Sequence, residues 1–519
     1  MRPHRVKPRP LAKLADLLGA RAIPPSAAEL SGVTHDSRRI VPGDLYAALP
    51  GSRHHGAEFS GDAAAAGAVA VLTDAAGRRR AAGAGLPVLV VADPRAQLGA
   101  VASWIYGDPS AHLMLVGVTG TSGKTTTTYF LEAALKMAGH RSGLIGGVQT
   151  RVAGEEMVSR LTTPEAPDLQ AVLAVMVERG VTAVAMEVSS HALALSRVAA
   201  TSYDVAVFTN LSQDHLDFHA DIDDYFAAKA RLFTPAYSQV GVVNVDDKYG
   251  RILAGSAPIP VTTFSADGNP GADWRAVDVR LGTDGSSMRV VGPGGVEADG
   301  AVALPGPFNV ANALGAVVAL VEAGIGLQTA VAGVAACPGV PGRLEQVDAG
   351  QDFTVFVDYS HKPGAVQAVL RALRPVTQGT LVIVLGCGGD RDAAKRPMMG
   401  AIAARLADLV ILTSDNPRSE DPLAILAAML EGAIDVPQAQ RAHVVMEPDR
   451  AAAISLAIAS AGRGDVVIVA GKGHETGQYV AGSVLPFDDR QVAAEGLRRE
   501  RARRARQAIS LTASDSEDV

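Results

Sequence analysis

With 519 residues, 48% hydrophobic and 19% charged, the chain has a globular composition and is too long for one core, so about three domains are predicted. A formal net charge of −7 argues against a protein that coats nucleic acid through a positive surface. Two cysteines, Cys337 and Cys387, give no disulfide framework and predict a reducing, cytoplasmic setting.

Met1 to Pro10 is basic and proline-bearing, with no apolar run behind it, so it does not read as a secretory signal. Stretches such as Ala63–Leu72 are shorter than the roughly 18 apolar residues of a membrane span and contain glycine, so no span is expected. From residue 113 short β-branched runs alternate with longer amphipathic ones. Leu113–Val118 reads as a buried strand and Thr125–Ala138 as a helix, followed by strands at Val181–Val188, Asp204–Thr209 and Gly241–Asn244. The last third repeats the scheme at Phe353–Asp358, Leu381–Leu385, Leu409–Thr413 and Val466–Ala470. This order predicts an α/β protein with mainly parallel sheets covered by helices. Asp108-Pro109-Ser110 and the Pro- and Gly-bearing stretch Pro338–Arg343 are the candidate boundaries. They divide the chain into 1–108, 109–337 and 338–506, the last ending in an arginine-rich helical pattern, with 507–519 as a disordered tail.

Between a predicted strand and a predicted helix stands Gly120, Thr121, Ser122, Gly123, Lys124, Thr125 and Thr126. Glycines there let backbone N–H groups converge on phosphate oxygens, and the helix N-terminus adds its dipole. Lys124 is expected on the β- and γ-phosphates of ATP and Thr125 on Mg²⁺. The spacing is tighter than the usual phosphate-loop pattern, with Val118 where its first glycine belongs. A triphosphate loop alone also suits a nucleotide switch, which would carry a strand ending in Asp and a water-activating residue. Here Met186-Glu187-Val-Ser-Ser-His191 and Phe208-Thr-Asn-Leu-Ser-Gln-Asp-His215 follow two predicted strands instead. Glu187 and His215 are therefore candidate neighbours at the edge where open α/β sheets place ligands, and candidate Mg²⁺ ligands.

The Gly120-to-Thr125 loop, Glu187-Val-Ser-Ser-His191 and Asn210-Leu-Ser-Gln-Asp-His215 resemble the Mur ligase family. So do Asn244-Val-Asp-Asp247, Gly306-Pro-Phe-Asn309-Val-Ala-Asn312, Pro341-Gly-Arg343-Leu-Glu345 and Asp358-Tyr-Ser-His361-Lys-Pro363, in order along nearly the whole chain. The resemblance implies three domains: an N-terminal uridine-nucleotide-binding domain, a central phosphate-loop ATPase domain with a mainly parallel sheet, and a C-terminal Rossmann-like domain that takes the amino acid. It implies ATP-dependent ligation of an amino acid to a uridine-nucleotide-linked peptide precursor of the bacterial cell wall, with Mg²⁺, by a monomer.

Residue by residue, the resemblance implies that Lys229, in Tyr225-Phe-Ala-Ala-Lys229-Ala-Arg, is a carbamate and a metal ligand beside Thr125, Glu187 and His215. Read without the family, Lys229 is one exposed lysine on an amphipathic helix. Ser37, in Thr34-His-Asp-Ser37-Arg38, and the segment Gly51 to Gly56 fall to the uridine nucleotide. Thr162, Thr163, Ser189 and Arg197 fall to the muramoyl-peptide, with Leu195 standing where some relatives carry a polar contact. Asn309 falls near the adenine, and Arg343 and Asp358 reach ATP from the last domain.

Ser414-Asp415-Asn416-Pro417-Arg418 resembles the motif of members that add meso-diaminopimelate. That acid differs from lysine by a second carboxylate, which a guanidinium binds through two parallel charge-assisted bonds. Arg391, Gly471 and Glu475 are implied beside it, Glu475 on the ammonium group. The expected small-molecule substrates are thus UDP-MurNAc-L-Ala-D-Glu, meso-diaminopimelate and ATP. A lysine-adding relative, a folate-polyglutamylating relative and a nucleotide switch are the alternatives. Gly386-Cys-Gly388-Gly389 misses the dinucleotide fingerprint, because Arg391 stands where its last glycine belongs.

Overall fold

The computed structural model describes residues 1–159 and 161–514, with side chains through Gln507. The chain divides into two compact units. One holds Met1–Val277, Arg289–Gly300 and Ala311–Cys337; the other holds Asp278–Met288, Ala301–Val310 and Pro338 onward.

The first unit contains a two-stranded sheet, Arg9–Pro10 with Glu29–Leu30, a five-stranded N-terminal sheet and most of a large eleven-stranded one. The N-terminal one has the order Ala22–Ile23, Val88–Val90, Ala70–Thr73, Asp44–Ala47, Gly32–Thr34, parallel except at its first pair. The apolar stretch Ala63–Leu72 breaks there into the helix Ser60–Ala65 and the strand Ala70–Thr73, with Gly67 at φ +101° in the turn.

The large sheet runs Glu155–Val158, Gln149–Val152, Ser142–Ile145, Ala183–Glu187, Met114–Thr119, Tyr203–Phe208, Ser238–Asn244, Val261–Ser265, Trp274–Leu281, Ser286–Val291, Glu297–Val302. From Ser142–Ile145 to Trp274–Leu281 every pair is parallel. Parallel strands are covered on both faces, which is why Ala183–Glu187 is buried at every position and reads as an unbroken apolar run up to its glutamate. Each fully buried Leu, Val or Phe side chain, such as Leu115 or Phe208, contributes roughly 1.5–3 kcal/mol to holding these layers together.

The second unit has a sheet ordered Glu345–Gln346, Thr354–Asp358, Val466–Ala470, Leu381–Leu385, Leu409–Leu412, His443–Met446. All but the first pair are parallel. The chain is thus α/β with a large, mainly parallel sheet and further sheets on either side of it in sequence. The last helix, Asp489–Ser514, continues beyond Arg506 into the segment read as a tail. Glu500 pairs with Arg503 and Arg504, each at 2.7 Å, three and four residues along the helix, and such pairs support the helix just before that segment. Residues 515–519 lie outside the described residues.

Candidate active site

The register of the large sheet brings three loops to one edge. Glu187 stands opposite Val118, and Phe208 opposite Thr119, so the loops after all three strands leave side by side. The loop after Thr119 turns through Gly120 (φ +149°) and Gly123 (φ +89°) into the helix Lys124–Met137. Side chains would block both turns: a Cβ on Gly120 would sit 1.9 Å from Thr209 Oγ1, and one on Gly123 2.3 Å from Asn312 Oδ1. The neighbouring loop braces the turn. The Thr121 amide donates to Asn210 O at 2.9 Å, the Ser122 amide to Asn210 Oδ1 at 3.0 Å, and Thr209 Oγ1 to Ser122 O at 2.6 Å.

Lys124 Nζ donates to the carbonyls of Gly120 (2.8 Å) and Thr121 (3.0 Å), so its ammonium lies within the loop. Lys229 Nζ donates to the same Gly120 carbonyl at 2.8 Å and lies 4.6 Å from the centre of the Tyr225 ring. Lys229 is 1% exposed, which corrects the expectation of an exposed lysine. The helix Ile222–Ala230 turns Tyr225 and Lys229, four residues apart, to the protein side.

Glu187 is 2% exposed. Its Oε1 accepts from Thr125 Oγ1 at 3.0 Å and from the Gly147 amide at 2.9 Å. The Thr163 hydroxyl donates to the Glu187 carbonyl (2.9 Å) and accepts from the Ser189 amide (3.0 Å), which joins the Thr162-Thr163 segment to the strand end. Ser189 caps the short helix Ser190–Ala194 through the Ala192 amide, and Thr162 Oγ1 lies 3.1 Å from where a Cβ on Gly147 would stand. Arg197 forms an ion pair with Glu165 at 2.8 Å. His191 packs edge-on to His215 at 4.8 Å and stacks on Phe218 at 4.1 Å. His215, at φ +54°, lies 3.3 Å from the Asp214 carboxylate through Nε2. Burial, with the charges of His219 and Arg197, holds the His191 imidazole below its ordinary range.

Among the described residues no group of three or more His, Cys, Asp and Glu side chains is arranged to hold a metal ion. The expected Mg²⁺ set is of another kind: a hydroxyl, a carboxylate and an imidazole, completed by a carbamate. Thr125 Oγ1 against the buried Glu187 oxygen fits the preference of Mg²⁺ for one or two oxygen side chains plus phosphate and water.

Farther along the first unit, Ser37 opens a one-turn helix, Ser37–Arg39, capped by Asp36, whose carboxylate accepts from the Arg38 amide. Arg39 holds that turn to Asp168 through two bonds of 3.0 and 2.9 Å.

The second unit carries the remaining candidates. Arg343 lies over the Tyr359 ring at 4.5 Å. Asp358 accepts from the Leu344 amide (2.8 Å) and the Ser360 amide (2.8 Å), so both carboxylate oxygens hold local backbone. Asn309 is buried and donates through Nδ2 to Pro305 O at 2.8 Å.

The loops after Leu381–Leu385 and Leu409–Leu412 pack backbone to backbone. A Cβ on Gly389 would lie 2.0 Å from Pro417 O, and one on Gly386 2.4 Å from Thr413 O, so these glycines serve loop packing. Arg418, at φ +54°, donates from Nη1 to Gly389 O at 2.6 Å, and Arg391 is exposed just beyond that loop. Asn416 donates to Glu475 Oε2 at 2.9 Å, and a Cβ on Gly471 would lie 2.4 Å from Asp415 Oδ2.

Residue typing missed Lys472, which is fully buried and donates to Asn416 Oδ1 (3.0 Å), Glu475 Oε2 (3.2 Å) and Gly477 O (2.6 Å). Its place between two glycines beside Glu475 was the available signal. Asp415, Glu475, Asn416, Arg418 and Lys472 thus form a polar cluster of two carboxylates, one amide and two cations, with charge of both signs to offer a zwitterion.

Residues 29–106 match the Mur ligase family catalytic domain, 118–320 the Mur ligase middle domain and 342–473 the Mur ligase glutamate ligase domain. A Streptomyces coelicolor relative called UDP-N-acetylmuramoyl-L-alanyl-D-glutamate--2,6-diaminopimelate ligase is 60% identical, over 96% of this chain and 98% of its own. A relative of that name from Streptomyces avermitilis is 59% identical over the same shares. A solved structure described as UDP-N-acetylmuramoyl-L-alanyl-D-glutamate--2,6-diaminopimelate ligase is 31% identical. It superposes with a TM-score of 0.66, over 91% of this chain and 96% of that one. The chain belongs to the Mur ligase family.

Proposed function

We propose that this chain is an ATP-dependent ligase that joins meso-diaminopimelate to the glutamate carboxyl group of UDP-N-acetylmuramoyl-L-alanyl-D-glutamate in peptidoglycan synthesis. The observation that carries the choice of amino acid is the Asp415–Arg418 loop, with Arg418 at one end and Asn416 bonded to Glu475 at the other. Near-full-length relatives bearing the corresponding name support the same reading.

A carboxylate does not react with an amine at neutral pH, because oxide is a poor leaving group. The glutamate carboxylate oxygen attacks the γ-phosphorus of ATP, the bond to the β-phosphate oxygen breaks, and ADP leaves. The amine of diaminopimelate then attacks the acyl carbon, loses a proton, and inorganic phosphate departs with the former carboxylate oxygen. No protein group becomes covalently attached. The phosphate loop and Lys124 hold the triphosphate, while Thr163, Ser189 and Arg197 orient the muramoyl-peptide and Ser37 the uridine nucleotide. Thr125, Glu187, His215 and Lys229 as its carbamate would hold Mg²⁺, which supplies charge neutralisation on the transferred phosphoryl group. Asn309 and Arg343 serve the nucleotide, and Asp358 keeps the turn that carries Arg343 in place. Arg391, Arg418, Gly471 and Glu475 receive the amino acid, a lysine substrate leaving Arg418 without its anion.

The three segments 1–108, 109–337 and 338–506 take the nucleotide-linked substrate, ATP and the amino acid in turn. The enzyme acts as a monomer in the cytoplasm; among the described residues no helix is long and apolar enough to cross a membrane. ADP release measured with each substrate withheld tests the reading. Turnover is expected only with the nucleotide dipeptide and diaminopimelate both present, and weakly or not at all with lysine. Lysine used as well as diaminopimelate would overturn the choice of amino acid, and turnover without either acceptor would favour a nucleotide switch.

A further inference from the structure

Behind the amino-acid loops lies a cation to which neither the motifs nor the proposed mechanism gives a role. Arg450 opens the helix Arg450–Ser460, and its side chain is 0% exposed. Nε and Nη2 donate to the two oxygens of Asp489 at 2.7 Å each, and Asp489 is equally buried. The rest of the guanidinium reaches two backbone carbonyls: Nη2 to Ala470 O at 2.9 Å and Nη1 to Ser414 O at 3.3 Å. Ala470 immediately precedes Gly471, and Ser414 immediately precedes Asp415. One guanidinium therefore holds the bases of both loops.

The sheet cannot do this by itself. The strands Val466–Ala470 and Leu409–Leu412 are not neighbours, because Leu381–Leu385 lies between them. Among the described residues no backbone hydrogen bond joins the two loop bases directly; the ties lie farther out, where Arg418 N donates to Tyr479 O at 2.9 Å and Gln478 Nε2 to Asp415 O at 2.8 Å. The loops are close, since a Cβ on Gly471 would lie 2.4 Å from Asp415 Oδ2, so a small change in that distance reaches the polar groups they carry.

Stability alone does not account for an arginine here. A buried ion pair is commonly replaced by packed hydrophobic groups at no net loss, and a cation at a helix N-terminus opposes the helix dipole. What apolar side chains lack is a planar fork that binds a carboxylate on one edge and carbonyls on the other. The neighbouring Lys472 ties Asn416 to Glu475 within the polar cluster, whereas Arg450 acts at the loop bases.

We propose that Arg450, anchored by Asp489, is a positioning residue for the incoming amino acid. It sets the separation of the Asp415–Arg418 and Gly471–Glu475 loops and thereby the fit to a substrate bearing a second carboxylate. This rests on the reading of those loops as the diaminopimelate site.

The test is steady-state kinetics of the full chain carrying Arg450→Lys, with diaminopimelate, ATP and the nucleotide dipeptide each varied in turn and Arg418→Ala run as reference. Lysine keeps the positive charge beside Asp489, but its single ammonium does not span both carbonyls. The diaminopimelate KM is expected to rise roughly tenfold while the other two KM values stay within about twofold, and the preference over lysine is expected to fall. A purely structural role would instead lower the melting temperature and kcat with the diaminopimelate KM unchanged, and that result overturns the proposal. Should Arg450→Lys not yield folded protein, Asp489→Asn decides, because it weakens the anchor while leaving the carbonyl bonds. The same KM split, at about threefold, supports the proposal, and an unchanged diaminopimelate KM overturns it. If Arg418→Ala raises the diaminopimelate KM and the Arg450 and Asp489 variants do not, the positioning role alone is wrong. If Arg418→Ala also has no effect, the reading of the loops is wrong and the positioning role falls with it.

Discussion

Arg418→Ala removes a guanidinium and little else. Arg418 already lies at φ +54°, a region that costs an L side chain about 1–2 kcal/mol, so alanine inherits that strain and adds none. The backbone bonds of the loop, Arg418 N to Tyr479 O at 2.9 Å and Ala481 N to Arg418 O at 2.6 Å, need no side chain. Two things are lost: the bond from Nη1 to Gly389 O, and the pairing with the distal carboxylate of the substrate. A hydrogen bond to a charged group contributes roughly 1.5–3 kcal/mol, so loss of the carboxylate fork amounts to about 3 kcal/mol. At 1.36 kcal/mol per decade that is roughly a hundredfold in kcat/KM for diaminopimelate. The assay is ADP release at saturating ATP and nucleotide dipeptide, with diaminopimelate and lysine titrated in parallel. The ATP KM is expected to stay within about twofold, because Arg418 touches the amino-acid loops only. Arg418→Lys, which keeps the charge and loses the fork, is expected to fall between wild type and alanine. Unchanged kcat/KM for diaminopimelate with a raised ATP KM would refute the assignment.

Three further perturbations bear on the phosphate loop and the second unit. Gly123→Ala forces a Cβ to within 2.3 Å of Asn312 Oδ1 at φ +89°. It is expected to lower stability by about 1–2 kcal/mol or more and to raise the ATP KM, checked by thermal melting and kinetics. Glu187→Gln keeps an oxygen to accept from Thr125 and Gly147 but removes the charge. Near-normal melting with a large loss of kcat and a higher Mg²⁺ requirement is expected, and an unaltered Mg²⁺ dependence would exclude Glu187 as a ligand. Burial, reinforced by the charge of Lys362, pushes the His361 imidazole down to about 3, so the fold holds it neutral. The unfolded chain binds that proton from about pH 6.5 downward, so this histidine makes stability fall as pH drops from there toward 3. Denaturation between pH 6.5 and 4.5 should show a slope shallower by up to about 1.4 kcal/mol per pH unit in His361→Gln, and an identical slope contradicts the reading.

Strands buried on both faces declared themselves in the sequence. Leu381–Leu385 and Val466–Ala470 are five-residue runs of Leu, Val, Ile and Ala, and both bounds coincide with the structure. The strands Trp274–Leu281, Ser286–Val291 and Glu297–Val302 were illegible because charged and small polar residues interrupt them and none carries a continuous apolar run. Glu, Asp and Gly occupy much of Glu297–Val302, which lowers any β signal. The strands of the N-terminal sheet are too short, at two to four residues, to show a period. In the candidate site, Gly120–Thr126 was readable because a strand, a tight turn and a helix are consecutive in the chain. Lys229 was placed on the wrong face, since a pattern over the nine residues Ile222–Ala230 does not say which side meets the protein. Arg450 was invisible for a different reason: its partners Ser414, Ala470 and Asp489 lie 36, 20 and 39 residues away, and only the folded sheet assembles them.

On the proposed mechanism, ATP turns the nucleotide-linked glutamate into an acyl phosphate before the amine arrives. Nucleotide dipeptide labelled with ¹⁸O in that carboxyl group, incubated with the enzyme, ATP and diaminopimelate, tests it in one mass spectrum of the released phosphate. One labelled oxygen per phosphate, with the other retained in the new amide, is the predicted result. Phosphate carrying only oxygen from ATP and solvent would contradict it.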